Sequence, residues 1–219
     1  MLLGELCEVT PSPSSDLFTG LTADFEGTSV VTPADITNSQ RVHAEALRRI
    51  PGPLAGLERF LLHPGDLVLV RLGGVGRVAL IDKSVGTWVY HSSCIRIRPD
   101  TDRIDPVYLA AYLAHPPVVD QLLSRAQVGT VPVLTAGSLE TLPVVMPALH
   151  TQRLMSGALR ELSLQMDVQR QILTRLDAVQ QGLFAHLLGD GLRGLDISRP
   201  RTSRPEHKGP RTRRTNRMS

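Results

Sequence analysis

A glycine-rich stretch, Gly74-Val75-Gly76-Arg77-Val78-Ala79, has the spacing of a dinucleotide-binding loop. In such a loop the glycines precede a helix whose N-terminus holds the phosphates. Residues 77–81 instead have the apolar, β-branched character of a strand. The glycines therefore suit a tight β-turn flanked by Arg71 and Arg77, whose backbone and guanidinium groups could contact the phosphates of DNA. A hairpin turn with solvated arginines fits the same pattern equally well.

A second arginine pair lies in an alternating segment. Arg96 and Arg98 alternate with Ile95 and Ile97, which predicts a strand with both arginines on one sheet face. A basic face can follow a phosphate backbone. An ordinary solvated face is the more common explanation of such a pattern.

No set of residues has the types and spacing of a catalytic or metal site. The one Glu-x-Lys of a nuclease-like pattern lies at residues 206–208, near the C-terminal end. The His115-Pro116-Pro117-Val118 segment lacks the acid or amide and the aromatic residue of an adenine methyltransferase motif. His91 and Cys94 are close in sequence but lack further ligands, so we expect no metal and no cofactor.

Composition places the chain among proteins of a reducing compartment. Its two cysteines are far apart in sequence, which is no disulfide framework and predicts a cytoplasmic protein. No stretch reaches the length of a membrane-spanning helix. Residues 193–219 hold nine Lys or Arg and two acidic residues, so they carry a net charge of +7 while the rest carries −4. This basic tail is predicted to be disordered and suits a polyanion, or it serves only solubility.

Short strands are predicted through the first half of the chain and helices through the second. Asp105 and Pro106 are typical of a helix start, and Pro116 ends that helix. A second helix is expected at residues 118–125. The predicted strands are Leu6–Val9, Thr28–Val31, Leu67–Leu72, Arg77–Ile81, Thr87–Tyr90 and Cys94–Arg98.

One long helix follows. Residues 151–188 contain no proline, and apolar residues recur at alternating spacings of four and three, as on one face of a coiled coil. A helix of this length would measure roughly 57 Å, longer than a globule formed by the preceding residues, so its apolar seam needs a partner. Gln169 and Gln180 interrupt the seam and favour a fixed register. The seam residues are Met155, Leu159, Leu162, Met166, Gln169, Leu173, Leu176, Gln180, Leu183 and Leu187.

The order of these pieces resembles one half of a type I restriction-modification specificity subunit. Residues 63–76 (His-Pro-Gly-Asp-Leu-Val-Leu-Val-Arg-Leu-Gly-Gly-Val-Gly) are similar to the family's Pro-Gly-Asp, strand and glycine-turn stretch. Residues 104–113 are similar to its Pro-x-Tyr-Leu helix, and residues 139–152 to its entry into the spacer helix. Gly129 stands where the family places a glycine before that entry.

The resemblance implies an α+β fold and a non-catalytic role. Residues 1–147 would form a DNA target recognition domain of mixed short strands and helices. Residues 148–188 would form a coiled-coil-type spacer and dimerisation helix, and residues 189–219 a disordered basic tail. The DNA-binding candidates are Arg71, Gly73, Gly74, Gly76, Arg77, Arg96, Arg98, Gly129 and Thr130.

The resemblance also implies partners: double-stranded DNA read as a half-site, an adenine-N6 DNA methyltransferase subunit, and in some systems a motor/endonuclease subunit. With one recognition domain and one helix, the chain would pair with a second copy or another half-subunit. An alternative is a helical assembly adaptor that binds DNA only nonspecifically through its tail. A nucleotide-binding enzyme using Gly74 and Gly76 is a third hypothesis.

Overall fold

The computed structural model describes residues 1–22, 27–51, 56–82, 86–127 and 129–188. The chain divides into two compact units, Met1–Gln169 and Arg170–Ser219. Seven strands and four α-helices are described, and they confirm the predicted α+β class. The elements are β1 (Cys7–Thr10), β2 (Gly27–Val31), β3 (Arg48–Pro51), β4 (Leu67–Val70), β5 (Val78–Leu80), β6 (Trp88–Tyr90), β7 (Cys94–Pro99), α1 (Pro106–Ala114), α2 (Pro116–Arg125), α3 (Ala136–Glu140) and α4 (Leu149–Leu188).

The strands of the first unit form two sheets. One has the order β1-β7-β4-β5 and is antiparallel throughout, and the other has the order β3-β2-β6 with β2 parallel to β6. In the first sheet β7 lies between β1 and β4, so both of its edges are paired. In this register Thr10 lies opposite Arg96, and Glu8 lies opposite Arg98.

Each face of the four-stranded sheet packs in its own hydrophobic core. On one face, Leu67, Leu69, Ile95 and Ile97 cluster with residues of α1, α2 and α3. On the other face, the alternate residues of β4 and β7 cluster with β2 and β6 of the second sheet. Because β4 is covered on both faces, all four of its residues are buried, which explains its uninterrupted apolar sequence.

Helix α1 starts and stops as its sequence predicts. The Asp105 carboxylate accepts hydrogen bonds from the backbone N–H groups of Val107 and Tyr108, and Pro106 occupies the first helical position. The helix ends at Ala114, and α2 begins two residues later at Pro116 rather than at the predicted Val118. Proline is tolerated in the first turn of a helix, because the N–H groups there have no partner within the helix. The Pro116-Pro117 pair therefore begins α2 instead of preceding it.

Helix α4 begins at Leu149, two residues before the predicted start. Within the first unit its buried residues are Gln152 and Ser156, while most of its other side chains are exposed. In the second unit, residues 170–186 are all exposed, and the tail predicted to be disordered lies outside the described residues. In the part of the chain that the structure describes, no helix is long and apolar enough to cross a membrane.

Candidate nucleic-acid interface

The glycine turn joins β4 to β5 as a β-hairpin. Val70 donates its N–H to the Arg77 carbonyl at 2.8 Å, and β5 returns antiparallel to β4. Gly73, Gly74 and Gly76 all have positive φ, at 72°, 144° and 93°. A strand, not a helix, follows the glycines, so no helix N-terminus exists here to hold a pyrophosphate. The dinucleotide-loop interpretation is therefore wrong, and the β-turn interpretation describes the fold.

Gly76 is required for a second reason, its packing against α2. A Cβ atom added at Gly76 would lie 2.7 Å from Cγ1 of Val119. The turn therefore rests on α2 at this residue, while Gly73 and Gly74 are exposed. The close approach fixes where the exposed part of the turn points.

Arg71 connects the glycine turn to two other loops. Its backbone N–H donates to the Ser93 carbonyl at 2.9 Å, and its carbonyl accepts from the Leu134 N–H at 3.0 Å. Its guanidinium donates through Nε to the Leu134 carbonyl at 3.1 Å and through Nη1 to the Ser92 carbonyl at 3.2 Å. The half-buried side chain therefore holds three segments together, which is a positioning role that its sequence did not reveal.

The loop held by Arg71 presents the second predicted cluster. Gln127 and Val133 pair across its base, with the Gln127 N–H donating to the Val133 carbonyl at 2.8 Å. Val133 also forms a bridge with Leu72, next to the glycine turn. Gly129, Thr130, Val131 and Pro132 are exposed at the tip. The structure thus brings the 129–132 tip and the 73–77 turn together, although Gly129 comes 52 positions after Arg77 in the sequence.

Arg77 is the exposed arginine of the turn. Its guanidinium donates to the Ile36 carbonyl, and the residue is exposed. This contact orients the side chain while leaving further N–H donors of the guanidinium for another acceptor. A phosphate oxygen is a suitable acceptor, because guanidinium groups donate paired hydrogen bonds to phosphate.

Arg96 lies in the interior, which corrects the expectation that it belongs to an exposed basic face. Its side chain is 5% exposed. Its guanidinium donates to the carbonyls of Arg59 and Leu61 at 3.1 and 3.0 Å, and to Glu8 Oε1 and Thr10 Oγ1 at 2.7 and 2.6 Å. The reason is the position of β7 within the sheet, whose arginine-bearing face is the one that packs with the second sheet. Arg96 is therefore a structural residue and not a candidate for contact with DNA.

Arg98 is also engaged within the fold. It forms two hydrogen bonds with the Asp66 carboxylate, Nε to Oδ1 at 2.7 Å and Nη2 to Oδ2 at 2.8 Å. Asp66 is 1% exposed, and its Oδ2 also accepts the His63 N–H at 2.8 Å. On the neighbouring strand β1, the hydroxyl of Thr10 lowers the pKa of Glu8 from within the same strand, and Arg96 and Arg98 lower it further from across the strand pair. Arg96 and Arg98 thus belong to a polar network between strands rather than to a free basic surface.

Two residues that the sequence analysis did not select lie near this end of the sheets. Arg48 begins β3 and is exposed, and His91 follows β6 with its N–H donated to the Val31 carbonyl. Burial, and then the positive charge of Arg48, lower the pKa of His91. Strand β3 was not predicted because Arg-Arg-Ile-Pro has neither apolar alternation nor strand-favouring residues throughout. The signal available was the Arg48-Arg49 pair itself.

The described residues hold no group of three or more His, Cys, Asp or Glu side chains placed to bind a metal. Cys7 and Cys94 are both buried. Burial raises the pKa of each thiol to about 12, so neither is a ready nucleophile.

The coiled-coil-like seam of α4 is largely uncovered. Most of its apolar members have exposed fractions between 46% for Met155 and 60% for Leu173 and Leu183. Leu159 differs, since it is half-buried and lines a groove beside Pro106 and Val107 of α1. The side chain of Leu187 lies outside the described residues. Among the described elements, α1, α2 and α3 have at most ten residues, so none is long enough to cover the whole seam.

Comparison with known proteins identifies the family. A chain from work on complex assembly and conformational transition of the type I R-M system has TM-score 0.59 and 19% identity, covering 89% of this chain and 45% of that chain. The HsdS subunit from Thermoanaerobacter tengcongensis has TM-score 0.55 and 17% identity over 89% and 44%. The S subunit from M. genitalium has TM-score 0.50 and 12% identity over 89% and 49%.

The chain therefore spans about half the length of these structural relatives, and at such identities they show the fold alone. None of the curated protein sequences is significantly similar to it. A family model described as the type I restriction modification DNA specificity domain matches residues 1–178. This agrees with a specificity domain rather than an enzyme, and by this match the chain belongs to the type I restriction modification DNA specificity domain family.

Proposed function

We propose that this chain is a non-catalytic DNA sequence-recognition subunit of a type I-like restriction-modification system, and that it reads one half-site. The observation that carries the proposal is the meeting of the 73–77 turn and the 129–132 loop tip on Arg71. These two segments are adjacent and exposed at Gly73, Gly74, Arg77 and residues 129–132, and Arg71 holds them together at their bases. Such rigidly held loops are the usual place for recognition residues on a scaffold.

The chemistry of the two segments suits DNA. Gly73 and Gly74 have no side chain to keep a sugar-phosphate backbone at a distance, and Arg77 supplies a cation beside them. At the loop tip, the Thr130 hydroxyl can donate to or accept from a base edge, and Val131 is an apolar group suited to a thymine methyl. We assign the phosphate contacts to the turn and the base contacts to the loop tip.

For assembly, we propose that residues 1–147 act as the recognition domain and residues 148–188 as the spacer helix, with 189–219 as an auxiliary basic tail. The seam of α4 would pair with a helix of the same kind, in the simplest case from a second copy, and would dock an adenine-N6 methyltransferase subunit. A motor/endonuclease subunit would join in a restricting system. The support is the seam's apolar exposure together with its heptad spacing.

Selection from a random duplex library tests the DNA proposal. We expect the full chain, purified with its assembly partners, to enrich one short sequence and to protect it from cleavage. The protection should persist when residues 189–219 are removed. Binding that is equal on all sequences and vanishes with the tail would instead establish the adaptor alternative, in which DNA contact is only electrostatic.

A charge placed on the seam tests assembly. Leu173→Asp puts a carboxylate on the seam, where we expect it to abolish pairing at micromolar concentration. Gln171→Asp is the matched control, since Gln171 lies on roughly the opposite side of the helix at 100° per residue. Light scattering gives the mass of each variant. Equal masses for wild type, Leu173→Asp and Gln171→Asp would contradict the proposed interface.

A further inference from the structure

In the first turns of α4, polar side chains are buried and apolar side chains are exposed, the reverse of the usual pattern. The apolar side chains of Leu154 and Met155 are exposed, while Gln152 and Ser156 are 0% and 1% exposed. Two polar side chains are thus the ones that this part of the helix inserts into the fold. Burying them in place of apolar groups is costly unless their hydrogen bonds are all made.

Both buried residues form a hydrogen bond with Asp105. Oε1 of Gln152 accepts the backbone N–H of Asp105 at 3.0 Å, and its Nε2 donates to the Pro147 carbonyl at 2.9 Å. The Ser156 hydroxyl donates to Oδ1 of Asp105 at 2.5 Å. The same Oδ1 caps α1 by accepting from Val107 and Tyr108. One carboxylate therefore joins the start of α1 to the first turns of α4.

Further along, contacts between α4 and the rest of the first unit are loose. Leu159 and Ser163 line a groove of about 560 Å³ that α1 borders with Pro106 and Val107. Arg41 also lines this groove, and its Nε is 3.9 Å from Oδ2 of Asp167, with side chains that are 48% and 28% exposed. An ion pair of this length and exposure contributes little to stability. Asp105, Gln152 and Ser156 thus form a buried, hydrogen-bonded contact between α1 and α4 within this unit.

We propose that Asp105, Gln152 and Ser156 form a positioning joint, here called the α1–α4 joint, which fixes the direction in which α4 leaves the recognition domain. Hydrogen bonds depend on direction, so a satisfied buried network selects one angle and one register, whereas apolar packing tolerates several. Resting on the proposed function, the joint sets which distance between two half-sites a pair of chains can span.

A distance measurement within the first unit tests the joint without any DNA. Spin labels are placed on Asp120→Cys in α2 and Glu161→Cys in α4, both exposed positions. The natural cysteines are buried with a thiol pKa raised to about 12, so they react slowly with the label. We expect one narrow distance peak for the otherwise native chain, and loss of that single peak in the Gln152→Met, Ser156→Ala double variant.

Ser163→Ala is the matched control, because it removes the same hydroxyl seven residues later on the same face of α4 and should keep the narrow peak. Ser156→Ala alone is a milder variant whose fold is readily checked by circular dichroism. A purely structural role would lower the melting temperature and leave the peak narrow, and that result would overturn the joint.

A second readout joins the inference to DNA. Duplexes carrying two copies of the selected half-site at stepwise separations are compared for binding. We expect one preferred separation for wild type and Ser163→Ala, and a loss of that preference in the double variant with binding to a single half-site unchanged. If wild type selects no half-site, the proposed function fails while the distance peak still decides the joint. A narrow distance peak and an unchanged preferred separation of half-sites in the double variant would refute the α1–α4 joint.

Discussion

Arginines that belong to the same sheet have different environments in this fold. Arg96 and Arg98 lie on β7, a strand paired on both edges, and their side chains enter a polar network between strands. Arg71 and Arg77 flank the turn at the end of the β4–β5 hairpin, where Arg71 holds loops together and Arg77 is exposed. Arg71 and Arg98 are both half-buried, so the contrast is sharpest between the buried Arg96 in the middle of the sheet and the exposed Arg77 at the end of a hairpin.

The buried Arg96 and the half-buried Arg98 are tolerated because each charge has fixed partners. Register places Glu8 opposite Arg98 and Thr10 opposite Arg96, and the guanidinium of Arg96 also meets two backbone carbonyls. Asp66 supplies a bidentate partner for Arg98. Without these acceptors, a buried guanidinium would be strongly unfavourable. The two regions therefore differ in what a mutation should measure: stability on β7, and DNA binding at the turn.

Replacing Arg96 should give the largest effect on stability. Arg96→Met removes the donor to the carbonyls of Arg59 and Leu61, and we expect a loss of about 2–4 kcal/mol in the free energy of unfolding. Arg77→Ala, at an exposed site, should change it by less than about 0.5 kcal/mol. Urea denaturation measures both. A stable Arg96→Met protein that has lost DNA binding would reverse the assignment of the two regions.

Substitution at the glycine turn should give the next largest effect. Gly76→Ala combines a φ of 93° with a Cβ 2.7 Å from Val119, so we expect about 2–3 kcal/mol of destabilisation. Gly73→Ala has a φ of 72° but nothing within 4 Å of the added Cβ, and should cost about 1 kcal/mol. Thermal unfolding of the two variants separates backbone strain from the contact with α2. Equal losses would mean that the approach to α2 is unimportant.

DNA binding should respond to the exposed arginine and not to the paired one. We expect Arg77→Ala to weaken binding about 5–10-fold on all sequences and to reduce the salt slope of the logarithm of the affinity by about 1. Arg98→Lys keeps the charge beside Asp66 and should leave the slope unchanged. Titrations at several salt concentrations give the slopes. A slope that Arg77→Ala leaves intact would remove this residue from the phosphate contacts.

Much of the fold was predictable because its signals are local. Six strands, the Asp105 cap and the long helix follow from periodicity, a capping residue and proline positions. Strand β3 was missed because Arg-Arg-Ile-Pro has no apolar alternation, and α3 because five residues carry too little pattern. Strand β3 forms by pairing with β2, which overrules its local preference, whereas α3 begins at a local cap, in which the Thr135 side chain accepts the Ser138 N–H.

The candidate site was predictable only in part. The glycine turn and the tip at Gly129 and Thr130 could be selected, but nothing in the sequence places them together, because their contact runs through the side chain and backbone of Arg71. The alternation around Arg96 correctly predicts a strand. It wrongly predicts that the side of the strand with Arg96 faces solvent. A period of two distinguishes two faces but does not say which layer covers each.

Acid sensitivity should distinguish the network around β7. The hydrogen bond from Thr10, and then Arg96 and Arg98, hold the pKa of Glu8 below its ordinary value of 4.5. A lowered carboxyl pKa contributes stability that is present above 4.5 and is lost as the pH falls through the lowered value. Glu8→Gln should therefore flatten the dependence of unfolding free energy on pH below 4.5, by a modest amount because this side chain is 61% exposed. An unchanged pH profile would show that Glu8 is not coupled to the arginines.

The smallest expected effect belongs to the other region, at His91. Burial, and then Arg48, lower the pKa of this imidazole from its ordinary 6.5, so the unfolded chain binds the proton more readily than the folded chain. Stability should fall as the pH drops from 6.5 through the lowered value, and His91→Gln should remove that slope while leaving the acid limb due to Glu8 in place. Bound DNA supplies negative charge that offsets Arg48, so the pKa of His91 should rise in the complex if this end of the sheets faces DNA. An imidazole NMR titration with and without the selected half-site measures it, and a pKa that DNA leaves unmoved would place the interface away from His91.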